Sequence, residues 1–186
     1  EKSGCRGLLI GFESINQKAQ AFVNKKVNKT ANYEILMNQL HDIGVLVNGC
    51  FAFGGDEDYK DVFEKTVEAV QKLKKANPKI HIVTHVIFGL PGDSENDMLK
   101  TVKDVISAKS DGIKITNLYI LKNTALEKDF NNNKCLPLEM NQYFDLLEKA
   151  LKIIPSNMVV HRLTGDPPKK LLIEPKWAAN KKLTMN

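Results

Sequence analysis

Glu13 and Ser14 end the apolar run 7–12, so a carboxylate and a hydroxyl follow directly on a segment with strand character. Such a carboxylate is a fixed acceptor for sugar hydroxyls or, equally, one half of a salt bridge. Asp56 and Asp58 stand in the same relation to the apolar run 45–53, behind Gly54 and Gly55. A third run, 80–88, ends in Phe88, Gly89, Leu90, Pro91, Gly92 and Asp93, whose glycines let backbone approach a ligand above a strand end. The alternative for that stretch is a tight strand-to-helix turn. Lys114 falls inside a fourth run, where an ammonium is partly buried and either pairs with a carboxylate or serves a site. Asn117, Tyr119, His161 and Arg162 complete the polar groups near strand ends. Neighbours alternate across a strand, so only one of His161 and Arg162 is expected to face any one site. His85 reads as a hydrogen-bonded core histidine in preference to a metal ligand.

These groups need elements to hold them, and the pattern supplies strand, turn and helix in repetition. Strands are expected over 6–14, 45–53, 80–88, 113–121 and 158–163, the third apolar almost throughout and so covered on both faces. A short helical stripe at Ile15, Ala19, Phe22 and Val23 follows the first strand. Further helices are expected over 32–43 with Ile35, Leu36, Leu40 and Ile43 inward, and over 59–75 with Val62, Phe63, Val67, Val70 and Leu73 inward. Two more follow: 94–108, buried through Leu99, Val102, Val105 and Ile106, and 138–154, with Met140, Phe144, Leu147, Leu151 and Ile154 inward. Gly44 is a stop signal, and Ser94 with Asp97 has capping-box spacing. Residues 123–133 read as a polar loop with at most one helical turn, and 164–186 as an irregular tail pinned to the body by Trp177.

Residues 44–70 and 79–105 superimpose without a gap at an offset of 35, about one βα unit with its connection. Phe53 and Gly54 fall on Phe88 and Gly89, and Asp58 on Asp93. The expected architecture is therefore α/β, a partial (β/α) barrel of about five parallel strands with flanking helices. It forms a single domain over 1–186, or two joined part-barrel segments, 1–77 and 78–186. Too few strands are expected to close an eight-stranded barrel, so sheet edges are available for self-association.

The 186 residues, 42% hydrophobic and 26% charged, have the balance of a water-soluble globular domain. No apolar run of spanning length or leader pattern occurs, which makes the cytoplasm the expected location. The net charge of +5 comes from dispersed lysines, which suits a solvated surface better than an RNA-binding face, although RNA stays open as a partner. Cys5, Cys50 and Cys135 are widely spaced and odd in number, against a disulfide framework.

Several segments together carry a resemblance. His-Val-Ile-Phe-Gly-Leu-Pro-Gly-Asp (85–93), with 111–115, 121–126, 159–166 and 174–177, resembles the C-terminal part of a radical S-adenosylmethionine protein. The particular likeness is to bacterial Fe-S oxidoreductases related to the Elp3-like enzymes. The opening, 3–16 with 49–56, resembles the middle of cobalamin-binding-type radical S-adenosylmethionine enzymes. The resemblance implies S-adenosylmethionine and a [4Fe–4S] cluster as cofactors of the family. It implies cofactor contacts at Glu13 and Ser14 on the ribose side, at Phe88, Gly89, Leu90 and Pro91 on the adenine side, and at Lys114; catalytic residues stay unassigned. The cluster-binding CxxxCxxC is absent from this sequence, and both 44–70 and 79–105 resemble one family strand. The sequence thus reads as a fragment or fusion carrying nucleoside-side contacts without cluster ligands. A recombined βα scaffold or a nucleotide- or RNA-binding module is the competing reading.

Overall fold

The structure, a computed structural model, describes residues 4–13, 32–51, 65, 67, 68, 71, 72, 74, 75, 81–180 and 182. The chain divides into two units, 1–84 and 85–186. In the first, β1 (Gly7–Glu13) and β2 (Leu46–Phe51) pair in parallel from Gly7 opposite Leu46 to Glu13 opposite Phe51, with an irregularity between Gly11 and Glu13. The connection includes α1 (Tyr33–Asp42), which buries Tyr33 and Met37 against Ile10 and Val47. The inward face differs from the expected one: Ile35 and Ile43 are 57% and 64% exposed, and Leu36 is also exposed. Positions 33, 37 and 40 satisfy the same helical spacing, and the long Tyr33 and Met37 side chains supply the contact. Gly44, at φ +74°, ends the helix as expected. Its N–H donates to the His41 carbonyl at 2.8 Å and that of Val45 to Leu40 at 2.9 Å, the paired bonds of a Schellman stop. Of the helix expected over 59–75, the seven described positions are helical. The stripe at 15–23 and the turn carrying Asp56 and Asp58 lie outside the described residues.

In the second unit, β3 (Val83–Phe88, whose first two residues fall in the first unit), β4 (Gly112–Asn117) and β6 (Val159–Arg162) form one sheet with β4 central and β6 parallel to it. Strand β3 alternates: Val86 and Phe88 are buried, His85 and Ile87 exposed. Burial on both faces, expected from the unbroken apolar run, is thus corrected to burial on one. Phe88 packs edge-on against Tyr143, ring centroids 6.3 Å apart, so the buried face is the one toward α4 (Met140–Ile153). Helix α2 (Glu95–Ser107) buries Met98, Val102 and Val105 and is tied to α4 by Lys149 Nζ on Glu95 Oε1 at 2.8 Å. Its start has the expected capping box: Ser94 Oγ accepts from Asp97 N–H at 3.3 Å, and Asp97 Oδ2 accepts from Ser94 N–H at 2.9 Å.

Helix α4 buries Tyr143, Leu146, Leu147 and Ala150, a stripe rotated from the expected one, while Leu151 is exposed. The tyrosine decides this: its hydroxyl donates to the Leu163 carbonyl at 2.7 Å, so the ring enters the core with its polar tip satisfied. Strand β4 stops at Asn117 instead of continuing to Leu121, and is buried nearly throughout, with Lys114 half-buried. Ile120–Leu121, as β5, instead pairs antiparallel with β7 (Leu172–Glu174), so the tail is not irregular. It continues into a 3₁₀ turn, Lys176–Ala179, where Trp177 stacks on Tyr143 at 5.3 Å and donates from Nε1 to the Leu138 carbonyl at 3.1 Å, pinning the tail as expected. The expected polar loop contains α3 (Ala125–Asn131), started by Thr124, whose Oγ1 accepts from Glu127 N–H at 3.3 Å. The Thr124 and Glu127 spacing was a readable capping signal.

The molecule is mixed α/β with parallel strands. Among the described residues, seven strands fall into sheets of two, three and two, one of them antiparallel, rather than one run of about five parallel strands. No helix among the described residues is long and apolar enough to cross a membrane.

Candidate functional site

The face of the β3–β4–β6 sheet turned away from α4 carries polar side chains. Lys114 and Thr116 are two residues apart on β4 and share that face. His85 joins them from β3, with Nε2 hydrogen-bonded to Thr116 Oγ1 at 2.8 Å. It is therefore hydrogen-bonded as expected, but on the open face and not in the core. From β6, Arg162 is the register partner of Lys114. An irregularity falls here: Ile113 pairs with Val160 and Lys114 with Arg162, leaving His161 as the extra residue. The His161 ring lies over Gly112, where a Cβ would come within 2.7 Å of its Cδ2 and Nε2. Gly112 shares a face with Lys114, so His161 and Arg162 both serve the open face, and simple alternation fails at this point.

The electrostatics follow from that grouping. His85 is lowered from 6.5 to about 4, first by desolvation and then by the positive charges of Lys114 and Arg162. The imidazole is neutral near pH 7 and presents a donor and an acceptor rather than a charge. Among the described residues no carboxylate forms an ion pair with Lys114 or Arg162.

The glycine turn above β3 is built for the chain's own packing. Gly89 and Gly92 both have φ +89°, so the turn requires glycine conformations. A Cβ on Gly89 would meet Leu138 Cγ at 3.2 Å, and the Gly89 N–H is directed at Met98 Sδ at 3.0 Å. The close approach that the glycine permits is thus to Leu138. Phe88 is fully buried on the helix side, whereas Leu90 and Pro91 are exposed beyond the strand end. Asp93, beside this turn, is raised above the ordinary carboxylate range by desolvation and by Asp97. Asn117 is buried and spoken for: its Oδ1 accepts from Gly165 N–H at 3.0 Å and its Nδ2 donates to the Leu118 carbonyl at 3.1 Å. It holds the 164–168 segment to the end of β4, and Tyr119 lies against Gly165 in the same junction. Glu13 ends β1, but its side chain, like all of Ser14, lies outside the described residues.

A cluster of the kind implied is held by three thiolates, and the sequence contains no CxxxCxxC. Cys5 is exposed, with Sγ directed at the Gly7 carbonyl at 3.5 Å, and Cys135 is buried in the other unit. Burial and then Asp129 push the Cys135 thiol up, away from the thiolate a metal requires. Among the described residues no group of three His, Cys, Asp or Glu side chains could hold a metal ion. The side chain of Cys50 lies outside the described residues.

Residues 110–186 match the Radical_SAM C-terminal domain family, a span containing β4, β6, Lys114, Thr116, His161 and Arg162. The chain is 40% identical over 119 residues to the uncharacterized protein YtqA of Bacillus subtilis, covering 64% of this chain and 36% of that one. It is 31% identical over 121 residues to the uncharacterized protein MJ0486 of Methanocaldococcus jannaschii, covering 64% and 37%. It spans about a third of the length of these relatives. In fold it is similar to the archaeal Elp3 of Methanocaldococcus infernus, with TM-score 0.60 and 15% identity over 91% of this chain and 38% of the other. Through the domain match over 110–186 the chain carries a relationship to the radical S-adenosylmethionine superfamily, in a fragment of the length of its relatives.

Proposed function

We propose that the chain is a portion of a radical S-adenosylmethionine Fe-S oxidoreductase, a part-barrel whose open sheet face lines the chamber for the S-adenosylmethionine nucleoside and the substrate. The observation that carries this reading is the polar face of β3–β4–β6, which lies largely within the stretch that matches the family. In barrels of βα units the strands' inner faces and C-terminal ends form the site. Residues in those positions here are Lys114, Thr116, His85 and Arg162. Glu13 and Ser14 are assigned to the ribose and the backbone of 88–91 to the adenine by resemblance. The family cofactor supplies a 5′-deoxyadenosyl radical when bound to its cluster. The cluster ligands are assigned to sequence outside this chain, since it lacks the CxxxCxxC of the family. Lys114 and Arg162 give the chamber a positive field, and neutral His85 fixes the Thr116 hydroxyl. A cytoplasmic site of action belongs to the same reading, and so does self-association through sheet edges. Sedimentation velocity checks that last point, a monodisperse monomer at high concentration counting against it.

Anaerobic binding of 5′-deoxyadenosine and S-adenosylhomocysteine, followed by ligand-observed NMR, tests the chamber. Binding that weakens at least about tenfold in Lys114→Gln supports it; no binding of either nucleoside to the folded chain overturns it. Reconstitution with iron and sulfide is expected to yield no stoichiometric cluster absorbance near ~400 nm. A cluster lost on Cys→Ala substitution would instead give this chain its own ligands.

A further inference from the structure

Lys114 and Arg162 are register partners on adjacent strands, so two basic side chains stand side by side on one face. Like charges placed directly opposite each other destabilise a sheet, and Lys114 is half-buried, which increases the cost. The other groups that face them are the His85 imidazole and Thr116 hydroxyl from β3 and β4 and the His161 imidazole from β6. Neither Lys114 nor Arg162 meets a carboxylate among the described residues. What the face offers is a planar guanidinium, an ammonium, a hydroxyl and an imidazole N–H, the donor set that recognises an oxyanion. The bulge at His161 adds to this set by turning Arg162 onto the Lys114 face.

We infer that Lys114 and Arg162, with Thr116 and His85 between β3 and β4, bind an oxyanion, a phosphate or carboxylate group of the substrate. The inference rests on the chamber reading only in placing that group in the substrate. The binding site itself stands on the charge pair and its neighbours. The arginine engages two oxygens and the lysine a third, while Thr116 donates to the anion or to His85. A bound anion removes the repulsion between the cations and favours the imidazolium of His85.

The test uses the full chain, with inorganic phosphate and acetate as separate probes and chloride at matched ionic strength as the control. Carbon-bound proton NMR of His85 is followed against pH. With a bound oxyanion its titration midpoint is expected to move upward by about one pH unit or more. A saturable shift with phosphate alone, or with acetate alone, supports the site and names the group. The same small shift with all three anions is screening, and overturns it. Arg162→Gln is expected to abolish the shift while leaving the anion-free melting temperature unchanged or raised, since it removes a like-charge contact. A lowered melting temperature together with a retained shift would assign Arg162 to folding and overturn its role. Lys114→Met serves as the second variant with the same expected loss. If 5′-deoxyadenosine binds but neither oxyanion moves His85, the site fails while the chamber reading stands; anion binding without nucleoside binding gives the reverse.

Discussion

The two faces of the β3–β4–β6 sheet are made from alternate residues of the same strands, yet they obey different rules. Toward α4, Val86, Phe88, Ile113 and Ile115 are buried, the last three with no exposed surface. Away from it, His85 and Ile87 on β3 and Arg162 on β6 are exposed, whereas on β4 Lys114 is half-buried and Thr116 buried, and these side chains hold charge and hydrogen-bonding groups. The first face is where apolar area is removed from water, and it stabilises the fold. The second adds little to stability, and its paired cations oppose it. A segment with one stabilising face and one costly polar face is what a binding surface on a folded scaffold requires.

The sharpest way to break this comparison is to truncate neighbouring residues of β3. Phe88→Ala removes a fully buried ring from its contact with Tyr143 and is expected to cost about 3–5 kcal/mol in denaturant unfolding. Ile87→Ala, one residue away on the open face, is expected to cost about 1 kcal/mol or less. Equal losses would mean that the open face is covered by something that stabilises it.

Asn117 comes next, as a polar group that serves folding. Asn117→Ala leaves the Gly165 N–H and the Leu118 carbonyl without their partner and is expected to cost about 1–3 kcal/mol. The loss should appear with faster proteolysis around 164–168. A neutral substitution that weakens ligand binding would move Asn117 to the functional side.

The glycine turn separates conformation from contact. Gly89 and Gly92 share φ +89°, but nothing lies within 4 Å of a Cβ on Gly92, whereas one on Gly89 meets Leu138. Gly92→Ala is expected to cost about 1 kcal/mol. Gly89→Ala should cost more, and the difference reports the contact with Leu138. If Gly89→Ala with Leu138→Ala is no better than the sum of the two, the contact is not the cause.

Much of this was legible in the sequence, and the failures have identifiable physics. The capping box at Ser94 and the stop at Gly44 were readable because each depends on a few local residues whose chemistry permits little else. The inward faces of α1 and α4 differ from the expected stripes, which leave out Tyr33 and Tyr143, both buried. A tyrosine buries its ring when its hydroxyl finds a carbonyl, as Tyr143 does at Leu163, and that carbonyl is 20 residues away. Strand β3 was expected to be covered on both sides because an apolar run does not state whether a second layer exists. The Lys114 and Arg162 pairing depends on the register between strands 48 residues apart and on a bulge at His161. Alternation within one strand predicts neither.

The smallest expected effect lies on the open face and concerns pH. His85 titrates at about 4 in the folded chain against 6.5 in the ordinary state, so between these values the unfolded chain binds more protons. Stability therefore rises with pH across that window and is lost as pH falls from 6.5 toward 4. The residue is exposed, and solvent screening keeps the effect small. Two other groups act nearby and must be kept apart. Asp97, lowered by its bonds to Ser94, loses its contribution only below 3.8, while Asp93, raised by desolvation and Asp97, favours the folded state as pH falls and so opposes His85. The useful quantity is the difference between the wild type and His85→Gln, in which both aspartates cancel. Chemical denaturation from pH 4 to 7 should show a steeper rise for the wild type. The difference should shrink in Lys114→Met, which removes one of the charges that hold His85 neutral. Parallel profiles for the wild type and His85→Gln would mean that His85 titrates normally, and the positive field assigned to this face would lose its support.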